Sequence, residues 1–175
     1  HKVDMYLVPT ADEHQSEYIP EFYKFRAYLS GFTGSAGTLL VTKDECLLWT
    51  DGRYFIQAEK QLLDSGIVLM RSGEKNVPTI EDYIKSHLME GQTFGLDTSR
   101  VSCVFGRDLL DIATDNGAFL KDIDLAPEVW TDRPAMQVSK IERLGLFYTG
   151  RRVQEKLEMI LEEMDKADTD VHVIN

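Results

Sequence analysis

A short acidic pattern with one histidine, near the amino end, has residue types that can bind a divalent metal. Asp12, His14 and Glu17 form D-x-H-x-x-E, and imidazole combined with carboxylates suits zinc or manganese. The pattern crosses a polar segment that we predict to be a loop, and it offers only one nitrogen ligand. We therefore predict that these side chains hydrogen-bond within the loop and hold its shape, with metal binding as the alternative.

A glycine-rich segment at residues 31–37, G-F-T-G-S-A-G, invites comparison with phosphate-binding loops. It lacks the G-K-[ST] ending of a P-loop, and a strand is predicted to follow it where a phosphate loop needs a helix. Ser35 does not fit a G-x-S-x-G nucleophile elbow, because Thr33 stands in the place of the first glycine. We predict a tight loop that lets the backbone approach the sheet closely. Any binding role would be backbone approach to a ligand or another domain.

Arg53 is the side chain with the clearest indication of a binding role. The pattern predicts a helix over residues 51–63 capped by Asp51, which places Arg53 in the first turn, where the helix dipole disfavours a cation. One interpretation is a compensating local salt bridge to Asp51 or Glu17. The other is a guanidinium directed at a carboxylate or peptide carbonyl supplied from elsewhere.

Composition excludes several function classes. The 175 residues include 30 acidic and 19 basic side chains, giving a formal net charge of -11. We therefore expect no nucleic-acid partner and no membrane partner, because both require clustered lysine and arginine. Cys46 and Cys103 lack the spacing of a redox or zinc motif, which indicates two buried thiols in a reducing compartment. The amino end lacks a signal-peptide pattern, so we expect a cytoplasmic protein.

The elements that must position these residues alternate between strands and helices. Strands are predicted over residues 5–9, 38–42, 46–50, 67–70 and 93–96, with a weaker one near Ile123. Helices are predicted over residues 18–29, 51–63, 79–88 and 102–114. The second and third strands are separated by a three-residue turn and form a hairpin. The sequence therefore predicts an α/β fold with a mixed β-sheet flanked by helices.

Domain boundaries are indicated by a break in this alternation. We predict a first domain over residues 1–125 and a proline- and glycine-containing connector over residues 126–150. Residues 151–175 would then supply the opening helix, over 152–164, and a strand, over 171–174, of a second domain. Since one helix and one strand cannot bury an apolar face alone, we expect that second domain to be truncated in this chain.

Four segments resemble Xaa-Pro aminopeptidase, also called aminopeptidase P, in its three-domain form. They are D-E-H-Q-S-E-Y (12–18), R-A-Y-L-S-G-F-T-G-S-A-G-T (26–38), W-T-D-G-R-Y-F-I-Q-A (49–58) and W-T-D-R-P (130–134). They follow the family's order at compatible spacing, and the departures, at Glu13 and Tyr28, are small. The resemblance implies a fold like the creatinase/prolidase N-terminal domain, followed by the start of a second domain of the same kind.

The resemblance also implies a reaction whose machinery lies outside this chain. The family removes an amino-terminal residue when proline is second, using two divalent metal ions, commonly manganese, held in a carboxy-terminal domain. Nothing in residues 1–175 matches those ligands, so we expect no catalytic residue, metal ligand or cofactor here, and no activity from the chain alone.

Arg53 is the one substrate-binding residue that the resemblance implies, because the arginine of W-T-D-G-R reaches the substrate site in the family. The expected partners are a peptide with proline at its second position, the protein's own catalytic domain, and a second copy of the chain in a homodimer.

An alternative function belongs to a different class. The creatinase fold also occurs without peptidase activity, as a partner-binding module in the large subunit of a histone chaperone, and an acidic surface would suit a basic partner. Prolidase or creatinase is a third possibility on the same fold. The W-T-D-G-R-Y-F and W-T-D-R-P segments favour the aminopeptidase.

Overall fold

Residues 2–173 are described by the computed structural model, and within them six strands form one mixed sheet. The strands are β1 (Met5–Pro9), β2 (Thr38–Thr42), β3 (Cys46–Thr50), β4 (Ile67–Arg71), β5 (Thr93–Leu96) and β6 (Phe119–Asp122). Their order across the sheet is β4-β3-β2-β1-β5-β6. β2 pairs antiparallel with β1 and β3, and the other neighbouring strands pair in parallel. The predicted mixed sheet and its hairpin are confirmed.

Helices cover both faces of this sheet. Five helices belong to the unit that contains the sheet: α1 (Phe25–Ser30), α2 (Phe55–Gln61), α3 (Ile80–His87), α4 (Cys103–Asp115) and α5 (Ala126–Val129). Two more, α6 (Leu146–Thr149) and α7 (Val153–Lys166), follow later in the described residues. Buried side chains of α3 and α4 belong to the core on one face. Those of α1, α2 and α5 belong to the core on the other.

The two cores follow from the alternation of side chains along each strand. On the α3 and α4 face, Leu7 is paired with Leu40 and Leu40 with Leu47, which aligns three buried leucines across three strands. The next pair along the same two strands, Val8 on β1 and Leu39 on β2, is buried on the opposite face of the sheet. Because both faces of the central strands are apolar, a shift of one residue in register would leave both cores mismatched.

The predicted starts of the helices at residues 79 and 102 are confirmed, and a side chain caps each of them. The Thr79 hydroxyl accepts a hydrogen bond from the backbone N–H of Asp82 at the start of α3. The Ser102 hydroxyl accepts one from the backbone N–H of Phe105 at the start of α4. In both places a side-chain oxygen takes up a backbone donor that the first helical turn leaves unpaired.

Two other helices begin later than the sequence predicts. The segment predicted to be helical from residue 18 forms a 3-10 turn at Glu21–Tyr23 before α1 begins at Phe25. Pro20 is extended, with φ -56° and ψ 155°, and residues preceding a proline are themselves biased away from helical geometry. The helix predicted from residue 51 begins at Phe55, and Asp51 is not its cap.

The described residues divide into two compact units, one through Gln137 and one from Val138 onward. The first contains the sheet together with α5, and Ala126 and Trp130 are buried in its second core. The second contains α6 and α7. Its residues 171–173 have no regular secondary structure, and Ile174, the last residue of the predicted strand, lies outside the described residues. No helix within residues 2–173 has the length and apolar character needed to cross a membrane.

Candidate functional site

Arg53 lies in the turn that joins β3 to α2. The helix begins at Phe55 with Tyr54 at its N-cap position, so the predicted place of Arg53 in the first helical turn is wrong. The cause is Asp51, whose carboxylate accepts the backbone N–H of Arg53 at 3.0 Å and shapes the turn, while the helix lacks a side-chain cap. The Arg53 side chain is 63% exposed and therefore accessible to a ligand.

The same carboxylate fixes the orientation of the Arg53 guanidinium. Nε donates to Oδ1 of Asp51 at 2.9 Å, and Nη2 donates to Oδ2 at 2.8 Å. The hydrogen bonds between these two side chains raise the pKa of Arg53 and lower the pKa of Asp51. A bidentate pair of this kind holds the plane of the guanidinium as well as its position.

A hydrogen-bonded chain links this turn to two other segments. The Ser35 hydroxyl donates to Oε1 of Glu17 at 2.9 Å and lies 2.6 Å from the Tyr54 hydroxyl. The same Glu17 oxygen lies 3.8 Å from Nη1 of Arg53. Both ionic partners that the sequence suggested for Arg53, Asp51 and Glu17, are therefore present. We refer to Glu17, Ser35, Asp51, Arg53 and Tyr54 as the Arg53 cluster.

The glycine loop carries Ser35 into this cluster through close backbone packing. Gly31 ends α1 with φ +70°. A Cβ at Gly34 would lie 2.3 Å from the Phe32 ring and 2.8 Å from the Tyr54 ring, so only glycine fits there. A Cβ at Gly37 would lie 3.1 Å from the Trp49 carbonyl oxygen on β3. The predicted close approach of the loop to the sheet is confirmed.

Arg26 holds the shape of this loop from beneath. Its guanidinium donates to the carbonyl oxygens of Phe32 and Gly34, and its side chain is only 4% exposed. Burial lowers the pKa of Arg26 to about 10. Within the described residues its Nε has no hydrogen-bond partner. Because Nη1 and Nη2 donate to two carbonyl oxygens of the loop, Arg26 orders the segment that presents Ser35.

The D-x-H-x-x-E pattern proves to be a hydrogen-bonded loop. Oδ1 of Asp12 accepts the backbone N–H groups of His14 at 2.9 Å and Ser16 at 3.0 Å. Burial alone would raise the pKa of Asp12, but these hydrogen bonds outweigh it and the pKa is lowered. Among residues 2–173, no three His, Cys, Asp or Glu side chains come together in a group that could hold a metal ion. The interpretation that this pattern pins its loop is confirmed for Asp12, whereas the Glu17 side chain accepts the Ser35 hydroxyl instead.

A cleft of about 700 Å³ opens beside the Arg53 cluster and is lined by Glu17, Ser35 and Tyr54 among others. Its lining also includes Tyr28 and Trp130, whose rings stack with centroids 4.7 Å apart. The sequence does not predict a place for Trp130 in this cleft, because W-T-D-R-P is typical of a connector between domains. The tryptophan itself was the available signal, since a large aromatic residue in a connector needs an apolar surface to pack on.

Arg133 fixes W-T-D-R-P onto the same unit. Its Nε donates to the carbonyl oxygen of Phe22 at 2.7 Å, and its guanidinium lies 3.5 Å from the centroid of the Phe22 ring. Asp124 lies 3.5 Å from Nη1. The segment therefore packs against the loop before α1, on the side where Trp130 lines the cleft.

Comparison with known proteins identifies relatives of this chain. Residues 1–133 match the creatinase/prolidase N-terminal domain family. Aminopeptidase P2 of Arabidopsis thaliana is 42% identical over 99% of this chain, which covers 25% of that protein. A probable Xaa-Pro aminopeptidase P of Neosartorya fischeri is 40% identical over 100% of this chain and 27% of that protein. The resemblance predicted from the four motifs is confirmed.

Among solved structures, an X-prolyl aminopeptidase of Caenorhabditis elegans is similar, with a TM-score of 0.83 and 33% identity over 95% of this chain and 27% of that one. That protein is described as a cytosolic enzyme with a di-nuclear active site. These relatives give no support to the histone-chaperone-like alternative. The chain spans about a quarter of the length of the curated relatives it matches. By sequence and by fold, the chain belongs to the creatinase/prolidase N-terminal domain family.

Proposed function

We propose that this chain is the non-catalytic amino-terminal part of a metal-dependent Xaa-Pro aminopeptidase, which removes the amino-terminal residue that precedes proline. The proposal is supported by relatives of that name at about 40% identity across the whole chain. It is also supported by the arrangement at Arg53, where an exposed guanidinium is held in one orientation beside a cleft. The domain's role would be to complete the substrate site.

The metal ions of this proposal, two divalent cations with manganese as the first candidate, would be held outside residues 2–173. The carboxylates around Arg53 do not fit them, because Asp51 is committed to the guanidinium and Glu17 accepts the Ser35 hydroxyl. No other grouping within the described residues fits either. The contribution we assign to this chain is therefore binding and orientation of the peptide.

Arg53 is the residue to which we assign that contact. An arginine offers five N–H donors in a fixed plane, and Asp51 uses those on one edge. The opposite edge can donate to a peptide carbonyl oxygen. Asp51 thus acts as a positioning residue, since it fixes the direction in which those remaining donors lie.

The experiment compares steady-state hydrolysis by the full-length protein on two peptides that differ only in having proline or alanine second. We expect the proline peptide to be strongly preferred, and Arg53→Ala to lower kcat/KM for it by roughly ten- to hundred-fold, the loss expected for a charge-assisted hydrogen bond. Arg107→Ala is the matched control, because Arg107 is exposed on α4, which packs on the opposite face of the sheet.

Partners and location complete the proposal. We place the protein in the cytoplasm, in agreement with the description of the C. elegans relative as cytosolic. Its partners would be the peptide substrate, its own catalytic domain and a second copy of the chain. The net charge of -11 argues against nucleic acid as a partner.

A further inference from the structure

The two edges of the Arg53 guanidinium have different surroundings. Nε and Nη2 face the Asp51 carboxylate at 2.9 and 2.8 Å. The two hydrogens of Nη1 and the second hydrogen of Nη2 form the other edge. The Glu17 carboxylate lies beside that second edge, 3.8 Å from Nη1. That separation is too long for a hydrogen bond, so the donors of this edge can still serve a ligand.

Glu17 is held at that distance by the rest of the cluster. Its Oε1 accepts the Ser35 hydroxyl, which also contacts the Tyr54 hydroxyl. The Ser35 position is set in turn by the glycine loop, where Gly34 packs directly against Phe32. Glu17 is therefore fixed beside the second edge as a charge, without occupying the donors of that edge.

The Arg53 cluster carries a net negative charge, because one guanidinium lies beside the carboxylates of Asp51 and Glu17. Lys24, a second cation beside the cleft, is paired with Glu21. Arg26 keeps its positive charge, but it is buried and its Nη1 and Nη2 are directed at the carbonyl oxygens of Phe32 and Gly34. A carboxylate that approached the second edge would be repelled by Glu17, whereas an uncharged carbonyl oxygen would not.

We propose that Glu17 is a specificity-determining residue that makes the Arg53 site accept an uncharged peptide carbonyl and disfavour a free carboxylate at the same position. This inference rests on the proposed function, because it requires Arg53 to contact the substrate. The favoured substrates are Xaa-Pro peptides that place an internal peptide carbonyl at Arg53 and continue beyond it. The disfavoured ones are peptides short enough to place their terminal carboxylate at Arg53.

The test uses the full-length protein and pairs of Xaa-Pro peptides of increasing length, each made with a free carboxylate and with an amide at its carboxyl end. Within a pair the two peptides differ only in the charge of that end. At the length where this end meets Arg53, we expect the free acid to be a poorer substrate by about three- to tenfold in kcat/KM, as for two like charges near the surface. Glu17→Gln, which keeps an acceptor for Ser35, should reduce this difference to less than about twofold.

Asp108→Asn is the matched control, since it removes one negative charge from an exposed position on α4 and should leave the ratio of acid to amide unchanged. An acid-to-amide ratio that is the same in Glu17→Gln and in the unaltered protein would overturn the inference, as would the absence of any length at which the acid is disfavoured. Arg53→Ala separates the two proposals. If it lowers kcat/KM while Glu17→Gln leaves the ratio unchanged, only the role of Glu17 fails. If Arg53→Ala changes nothing, the contact of Arg53 with substrate fails as well.

Discussion

Replacing Gly34 by alanine tests whether the close packing of the glycine loop is what positions the Arg53 cluster. The added Cβ would lie 2.3 Å from Cζ of Phe32, 2.9 Å from its Cε2 and 2.8 Å from Cδ1 of Tyr54. Each of these distances is shorter than carbon atoms can tolerate without movement. The substitution must therefore displace an aromatic ring or the loop itself.

The cost follows from how little room those rings have. Phe32 is fully buried, and the Arg26 guanidinium lies 4.8 Å from its ring centroid, so the ring cannot move without disturbing a buried cation. Overpacking of this kind costs about 1–3 kcal/mol. For a chain of this size, that corresponds to a fall in Tm of about 2–12 °C.

Gly106→Ala provides a matched control with the opposite expected sign. Gly106 lies within α4, and a Cβ there would meet Cγ2 of Val101 at 3.6 Å, an ordinary contact. Alanine restricts the unfolded chain and favours helix, so this substitution should stabilise the chain by about 0.5–1 kcal/mol. The two variants carry the same chemical change and differ only in the space around it.

Urea unfolding of the 175-residue chain, followed by tryptophan fluorescence and by circular dichroism, measures both variants. The reasoning predicts a lower urea midpoint for Gly34→Ala and an equal or higher midpoint for Gly106→Ala. A Gly34→Ala chain as stable as the unaltered one would refute the claim that the loop is packed as closely as described. In that case the packing of the glycine loop would no longer explain why Ser35 has a fixed position.

Two further substitutions test individual hydrogen bonds. Thr79→Ala removes the hydroxyl that caps α3 and should lower the free energy of unfolding by about 1 kcal/mol, measured by urea unfolding with Thr98→Ala as a control at a threonine that caps no α-helix. Asp12→Ala should destabilise the chain above the ordinary Asp pKa of 3.8, because the pKa of Asp12 is lowered in the folded chain and its stabilising effect disappears as pH falls through that lowered value. The difference in urea midpoint between Asp12→Ala and the unaltered chain should therefore be larger at about pH 7 than at about pH 2, and a difference that grows on acidification would contradict the assignment.

Much of the fold is predictable because its signals are local. The hairpin of β2 and β3 follows from two apolar runs separated by three polar residues. The starts of α3 and α4 follow from Thr79 and Ser102, whose side chains accept from a residue three positions on. Each of these signals is complete within a few residues, so no knowledge of the tertiary structure is needed.

The start of α2 was mispredicted because one side chain can serve two local structures. An aspartate before an apolar run usually caps a helix, but Asp51 bonds to the backbone and side chain of Arg53 and shapes a turn instead. The position of Arg53 depends on that choice. Its proposed importance was inferred in part from a place in the first helical turn that it does not occupy, whereas the local salt bridge expected as compensation is present.

The Arg53 cluster itself could not be assembled from sequence. Glu17, Ser35 and Tyr54 come from three segments, and their contact depends on the 3-10 turn, the glycine loop and the sheet register together. Trp130 reaches the cleft from almost a hundred residues after Ser35, through the packing of α5 on the second core. The sequence suggests Glu17 as a partner of Arg53, but no pattern in it links Ser35 or Tyr54 to either residue.

The most direct test of the central claim is the rate at which the full-length protein releases the first residue of a peptide with proline second, before and after Arg53→Ala. The account predicts release that depends on proline and falls roughly ten- to hundred-fold in kcat/KM in the variant, with Arg107→Ala unaffected. Release that ignores the second residue, or a proline-dependent rate that Arg53→Ala leaves unchanged, would contradict it.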